Sequence, residues 1–229
     1  MPDFVHFQEL NIQVKVAAIM NDSIILIEKF NNTEIDKNLV WLSPPKEWKL
    51  NYKDSNLVIK TDKQTDFWQK THYGFQADNG HFLYCEVEGD FRVTTKVKSN
   101  PENRYDQAGL MVRFSSDTWL KTSVEYIPDD NSKLGVVVTN QGYSDWSSQE
   151  FLEEQSSLYY RITRREDNYY VDYSLNGISW SQIRIAHLVE NSKSIKVGIY
   201  ACSPQGEGYE AEFDFIKIEN ITNDTKVYS

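Results

Sequence analysis

Cysteine is scarce. The 229 residues contain two, Cys85 and Cys202. Two cannot build the disulfide framework that staples small secreted domains, so both are expected to be buried, reduced thiols. Glycine (10) and proline (6) are also few, which excludes collagen-like and low-complexity chains. Apolar runs such as Ile24-Ile25-Leu26-Ile27 fall far short of the ~20 residues that cross a bilayer as a helix. Positive charge is outnumbered, with 24 Lys and Arg against 34 Asp and Glu, a net charge of −10. That balance argues against nucleic acid, whose binding needs clustered cations over phosphates, and against an anionic membrane surface. The first nine residues carry acids and no basic leader, which predicts no secretory signal and a cytoplasmic protein. The Asn-x-Ser/Thr sites at Asn21, Asn31, Asn220 and Asn223 are then expected to be chance.

Several chemical signatures are missing too. The four histidines, at 6, 72, 81 and 187, form no His-x-x-x-His pair, so no metal is expected. Asp129-Asp130-Asn131 lacks the glycine and distal glutamate of a calcium loop. The glycine-rich phosphate loops and the Gly-x-Ser-x-Gly elbow are absent, and no cofactor is expected.

What is present is aromatic and β-patterned. Aromatic residues make up 14%, including 14 Tyr and 6 Trp. Period-two alternation marks strands at 57–60, 91–97, 108–114, 119–127, 134–139, 159–163, 169–174, 195–201 and 211–218. Asn79-Gly80 and Asn176-Gly177 read as hairpin turns, and residues 128–131 as a turn cluster. One turn of helix fits within 148–158. Residues 1–38 read as an N-terminal extension, with strands near 12–16 and 24–27 packing on the sandwich of 39–229. Alternation also assigns faces. Leu120, Val124 and Tyr126 are expected in the core; Trp119, Lys121, Ser123 and Glu125 oppose them. Gln107, Gly109, Met111 and Arg113 likewise oppose Ala108, Leu110 and Val112. These second sets carry more chemistry than a solvated face requires.

The stretches Thr65-Asp66-Phe67-Trp68-Gln69-Lys70-Thr71-His72-Tyr73-Gly74-Phe75, Tyr105-Asp106-Gln107-Ala108-Gly109-Leu110-Met111-Val112-Arg113, Trp119-Leu120-Lys121-Thr122-Ser123-Val124-Glu125-Tyr126 and Cys202-Ser203-Pro204-Gln205-Gly206-Glu207-Gly208 resemble a family of bacterial and fungal proteins. Its members are described as concanavalin A-like "regulation of enolase" proteins, after one from yeast. The resemblance spans about 41–219. It implies an all-β jelly-roll sandwich of two antiparallel sheets with one concave face, and little about chemistry.

In concanavalin A-like folds the concave sheet holds sugar: flat rings cover a pyranose face while amides, acids and bases bond its hydroxyls. The residues of those types in the resembling motifs are Trp68, His72, Tyr73, His81, Gln107, Trp119, Lys121, Glu125, Asp145, Trp146 and Arg161. They form the expected ligand-binding set, for a small carbohydrate or sugar-like metabolite. A glycosidase needs two carboxylates ~5–9.5 Å apart. The alternate acids that mark glycosidases of this fold are absent. Glu86 and Glu88 read as a solvated edge, and Glu210, Glu212 and Asp214 as the outer face of the last strand. Catalysis by an unconventional pair including Glu125 is the alternative. An interaction module acting on a metabolic enzyme, as the family's description suggests, is the third reading.

Overall fold

The computed structural model describes residues 23–152, 157–190 and 192–227. The expected strand at 12–16 lies outside them. Strands follow in the order β1 (Ile24–Glu28), β2 (Val40–Leu42), β3 (Glu47–Asn51), β4 (Asn56–Lys60), β5 (Phe67–Gln69), β6 (Gln76–Asp78), β7 (His81–Glu88), β8 (Phe91–Asn100) and β9 (Gln107–Arg113). They continue as β10 (Trp119–Glu125), β11 (Ser132–Asn140), β12 (Tyr143–Phe151), β13 (Ser157–Arg165), β14 (Asn168–Ser174), β15 (Ser181–His187), β16 (Ser194–Cys202) and β17 (Glu210–Asn220). Among the described residues no helix is long and apolar enough to cross a membrane. The turn of helix expected within 148–158 is replaced in its first part by the end of β12, while residues 153–156 lie outside the described set.

Two antiparallel sheets face each other, as the jelly-roll expectation requires. One runs β15-β14-β13-β8-β17-β4-β3, and β1 also pairs with β17. The other runs β12-β11-β10-β9-β16-β7-β2. Leu83, Leu110, Val112, Leu120, Val136 and Ile199 from the second sheet meet Leu57, Val93, Ile162, Val171, Phe213 and Ile218 from the first in one core. β1 buries Leu26 in that core, joined by Phe30 and Leu39 from the segment that follows. Glu28 secures this segment, its carboxylate accepting the backbone N–H of Phe30 and of Asp36, both at 2.7 Å.

The alternation of β17 is interrupted. A bulge between Phe213 and Phe215 shifts the register against β8. Two residues then face one on the neighbour, so the phase of the strand flips. Ile216 and Ile218 enter the core, while Phe215 turns outward beside Tyr159. Glu212 and Asp214 face outward, in ion pairs with Lys98 and Lys96. Tyr126 also departs from expectation. It lies past the end of β10 and is half-buried, outside the core cluster, because its backbone leaves the sheet to bond the 105–106 segment.

A second hydrophobic cluster lies on the far side of the seven-stranded sheet. β5 and β6 pair with each other and lie across that face. Phe67, fully buried, packs against Trp119 and Tyr200, with ring centroids 6.3 Å from each. Phe82, Met111, Val137 and Cys202 complete the cluster. Gly80 allows the close fit: a methyl group there would sit 2.4 Å from the Phe67 ring. Asn79-Gly80 is therefore no hairpin turn. It links β6 to the main sheet, both N–H groups donating to the Asp66 carbonyl. Because the cover buries the second face of β9 and β10, all of β9 and nearly all of β10 is buried.

Candidate functional site

Covering a polar sheet face forces its charges to find partners. Two of them hold the β5–β6 cover. Arg113 on β9 donates through both terminal nitrogens to the Asp78 carboxylate on β6, at 2.5 and 2.7 Å. Lys121 on β10 donates to Asp66, just before β5, at 3.1 Å. Lys121 is almost wholly buried, and Asp66 retains 16% exposure. The ammonium also lies 5.9 Å from the Trp119 ring centre and 5.6 Å from that of Tyr200. The backbone N–H of Gln69 donates to the Ser144 hydroxyl on β12 at 2.9 Å, anchoring the cover at its far side.

The cover stops short of the sheet's end and leaves a cleft of about 320 Å³. Its floor is Gln107, Lys121 and Glu125; its walls are Asp66, Trp68, Tyr73 and Trp146, with Tyr105 and Gln205 at the rim. Gln107 and Glu125 are direct neighbours across β9 and β10. The Tyr200 hydroxyl lies 3.0 Å from the Gln107 carbonyl oxygen, to which it donates, and 2.8 Å from the Ser123 hydroxyl. The Gln107 amide in turn donates to the Tyr105 carbonyl at 3.1 Å. Asp106, itself buried, accepts from the Ser203 hydroxyl at 2.6 Å and joins the two loops of the rim. At the tip of the cover, His72, Tyr73 and Gly74 all have positive φ (57°, 46° and 74°). This conformation is costly for the two non-glycine residues. It carries the Tyr73 ring out to 81% exposure beside the cleft.

The two ionisable groups of the floor differ. Burial works against the charge on Lys121, but the adjoining carboxylates, Asp66 foremost, outweigh it and hold the ammonium above its usual pKa. Burial lifts the Glu125 carboxyl to about 7; Lys121 pulls it down and Asp66 pushes it up. At neutral pH the floor therefore presents a fixed cation and a carboxyl that can hold or release a proton. Among the described residues no group of three His, Cys, Asp or Glu side chains is arranged to bind a metal.

Of the expected ligand-binding residues, Trp68, His72, Tyr73, Gln107, Lys121, Glu125 and Trp146 come together here. Four do not. Trp119 shares the face of Lys121 but is fully buried beneath the cover, its indole N–H donating to the Ser116 carbonyl. His81 is buried elsewhere. Its Nδ1 lies 2.7 Å from the Ser43 carbonyl and its Nε2 accepts the Asp62 N–H at 2.9 Å, which fixes a neutral ring. Burial also lowers its pKa. Arg161 belongs to the other sheet, paired with Asp172 at 2.9 Å and stacked on Trp180. Asp145 points away from the cleft towards Arg184. Asp66 was missed as a site residue. Its partner lies 55 positions along the chain, and no local pattern connects them.

The comparisons agree with this architecture. A curated protein of Saccharomyces cerevisiae, "Regulation of enolase protein 1", is 35% identical over 182 residues, 80% of this chain and 89% of its own. A crystal structure of a functionally unknown S. cerevisiae protein matches with a TM-score of 0.75 and 32% identity, over 81% of this chain and 98% of that one. A Bacillus licheniformis GH43 protein, BlXynB (K247S mutant), shares the fold at 18% identity and a TM-score of 0.68, over 85% of this chain and 39% of that one. Residues 41–221 match the model of a family described only as "Protein of unknown function (DUF1349)", and it is to this family that the chain belongs.

Proposed function

We propose that this protein binds a carbohydrate or sugar-like metabolite in the cleft between the seven-stranded sheet and its cover. The observation that supports this most directly is the composition of the cleft. Trp68, Tyr73 and Trp146 surround a floor of Gln107, Lys121 and Glu125. Indole and phenol rings suit the C–H face of a pyranose, and the floor offers both donors and acceptors to hydroxyls. An open site of this kind gives modest affinity, with Kd in a range of roughly micromolar to millimolar. The test is tryptophan fluorescence and thermal shift across a panel of sugars and sugar phosphates. A saturable change that Trp146→Ala abolishes is expected. No response across the panel overturns the reading and favours an interaction module, for which the name of the yeast relative makes a glycolytic enzyme the first partner to try.

One observation favours a second reading, glycoside processing. Asp66 is paired with Lys121, while burial lifts the Glu125 carboxyl to about 7 in the same cleft, so two carboxyls sit in unlike environments, as acid–base pairs do. Glu125→Gln separates the two readings. A binding site loses at most ~1–3 kcal/mol of affinity, whereas a general acid loses ~10²–10⁴-fold in turnover with affinity retained.

A further inference from the structure

We infer that the ligand is an extended, uncharged oligosaccharide, which leaves the cleft over Trp146 and continues along a second groove at the edge of the sandwich. The inference rests on the sugar reading above and specifies its ligand. The second groove, of about 720 Å³, lies between β12 and β15, the edge strands of the two sheets. Trp146 lines both depressions, and the neighbouring residues Thr71 and His72 line one each. The two are thus joined along the tip of the cover. The cleft alone stands at the small end of the ~300–1,000 Å³ usual for small-molecule sites, and the groove more than doubles the room.

The shared indole is built into the sheet. A methyl group at Gly135 would sit 2.6 Å from Trp146 Nε1, so the ring occupies the space that a side chain on β11 would fill. Trp146 nevertheless remains 40% exposed. Further along the groove, Tyr143 is 63% exposed and braced by Lys70, whose ammonium lies 5.4 Å from the ring centre. Both exposed rings line this groove; three residues apart on one strand they project to opposite sides of β12, so successive sugar units would meet them in turn around its edge. Among the described residues no strand pairs with the outer edge of β12, which suits that edge to bonding hydroxyls.

The charges point to a neutral chain. Lys121 and Arg184, which line this path, each already face a carboxylate, of Asp66 at 3.1 Å and Asp145 at 3.5 Å, and Lys70 is set against the Tyr143 ring. An anionic group at Lys121 or Arg184 would compete with the carboxylate already there.

The test is calorimetric titration of the full chain with cello-, xylo- and malto-oligosaccharides of one to six units. For the series that binds, affinity should rise at least ~10-fold from monomer to tetramer, equivalent to ~1.4 kcal/mol, and then level off. Tyr143→Ala should remove the gain of the longer members and leave the shortest unchanged. Gly135→Ala should displace the indole and weaken every member. Equal affinity at one and six units, or a length gain untouched by Tyr143→Ala, overturns the extended groove while the cleft reading stands. Oligogalacturonates binding more tightly than the neutral series would overturn the uncharged ligand. Failure of all lengths of all series to bind overturns both.

Discussion

Glu125 and Lys121 lie four residues apart on one strand, yet only Glu125 titrates near neutrality. Its folded pKa of about 7 lies above the ordinary value of 4.5. The folded protein therefore keeps a proton that the unfolded chain releases between those two values. Stability should fall as pH rises through this window, by up to ~3 kcal/mol once pH exceeds 7. Glu125→Gln removes this dependence, so urea titrations at pH 5 and pH 8 should diverge for the parent and nearly coincide for the variant. The Lys121–Asp66 pair behaves differently. Asp66→Asn leaves a buried ammonium without its carboxylate and should cost ~3–5 kcal/mol, while adding Lys121→Met should recover much of the loss. A double-mutant cycle in urea reads both. Neither relation is visible in the linear chain. Alternation put Lys121 and Glu125 on one face, but not the lid that buries them, nor the aspartate that compensates the lysine. His81 carries the same imidazole as His72 of the cleft and Arg161 a cation like Lys121, and only their partners reveal them as structural.

Among the elements, the β5–β6 cover is the least readable from sequence. Its two strands have three residues each, too few for a period to register, and its hold on the sheet is made by ion pairs, one phenylalanine and the Gln69–Ser144 hydrogen bond. Phe67→Ala should lower stability by ~3–5 kcal/mol and speed tryptic cleavage at Lys70 under native conditions. If cleavage is unchanged, the ion pairs and the Gln69–Ser144 hydrogen bond hold the cover without the Phe67 ring. β9, β10 and β17 were readable because one of their faces meets the core. β12 was not, because six of its nine residues are exposed and no alternation remains. The bulge in β17 likewise escapes a strict period of two. The N-terminal extension is more than decoration: Leu26 and Phe30 are core residues. A chain beginning at Val40 should still unfold cooperatively, but at least ~3 kcal/mol less stable, since each lost side chain is worth ~2–5 kcal/mol. Denaturant midpoints test this.

For the molecule as a whole, the two cysteines report on integrity. Both are free and buried, Cys85 in the main core and Cys202 in the cluster on the sheet's other face. Burial raises the Cys85 thiol to about 11 and Cys202 well above its usual value. Neither should react with a thiol reagent in the native state, because thiolate is scarce and access is closed. Labelling of Cys85 should follow opening of the core, and labelling of Cys202 should come earlier if the cover detaches first. Mass spectrometry of native-state pulses distinguishes the two sequences of events.

The last of the described strands lies in the middle of its sheet: β17 pairs with β8 along one edge and with β4 and β1 along the other. Among the described residues no earlier segment completes that sheet without it. During synthesis the β8 and β4 edges that face β17 must therefore wait, unpaired, until β17 itself has been made. Nascent chains that end before Glu210 expose those edges to other chains, which is where aggregation of this protein should begin.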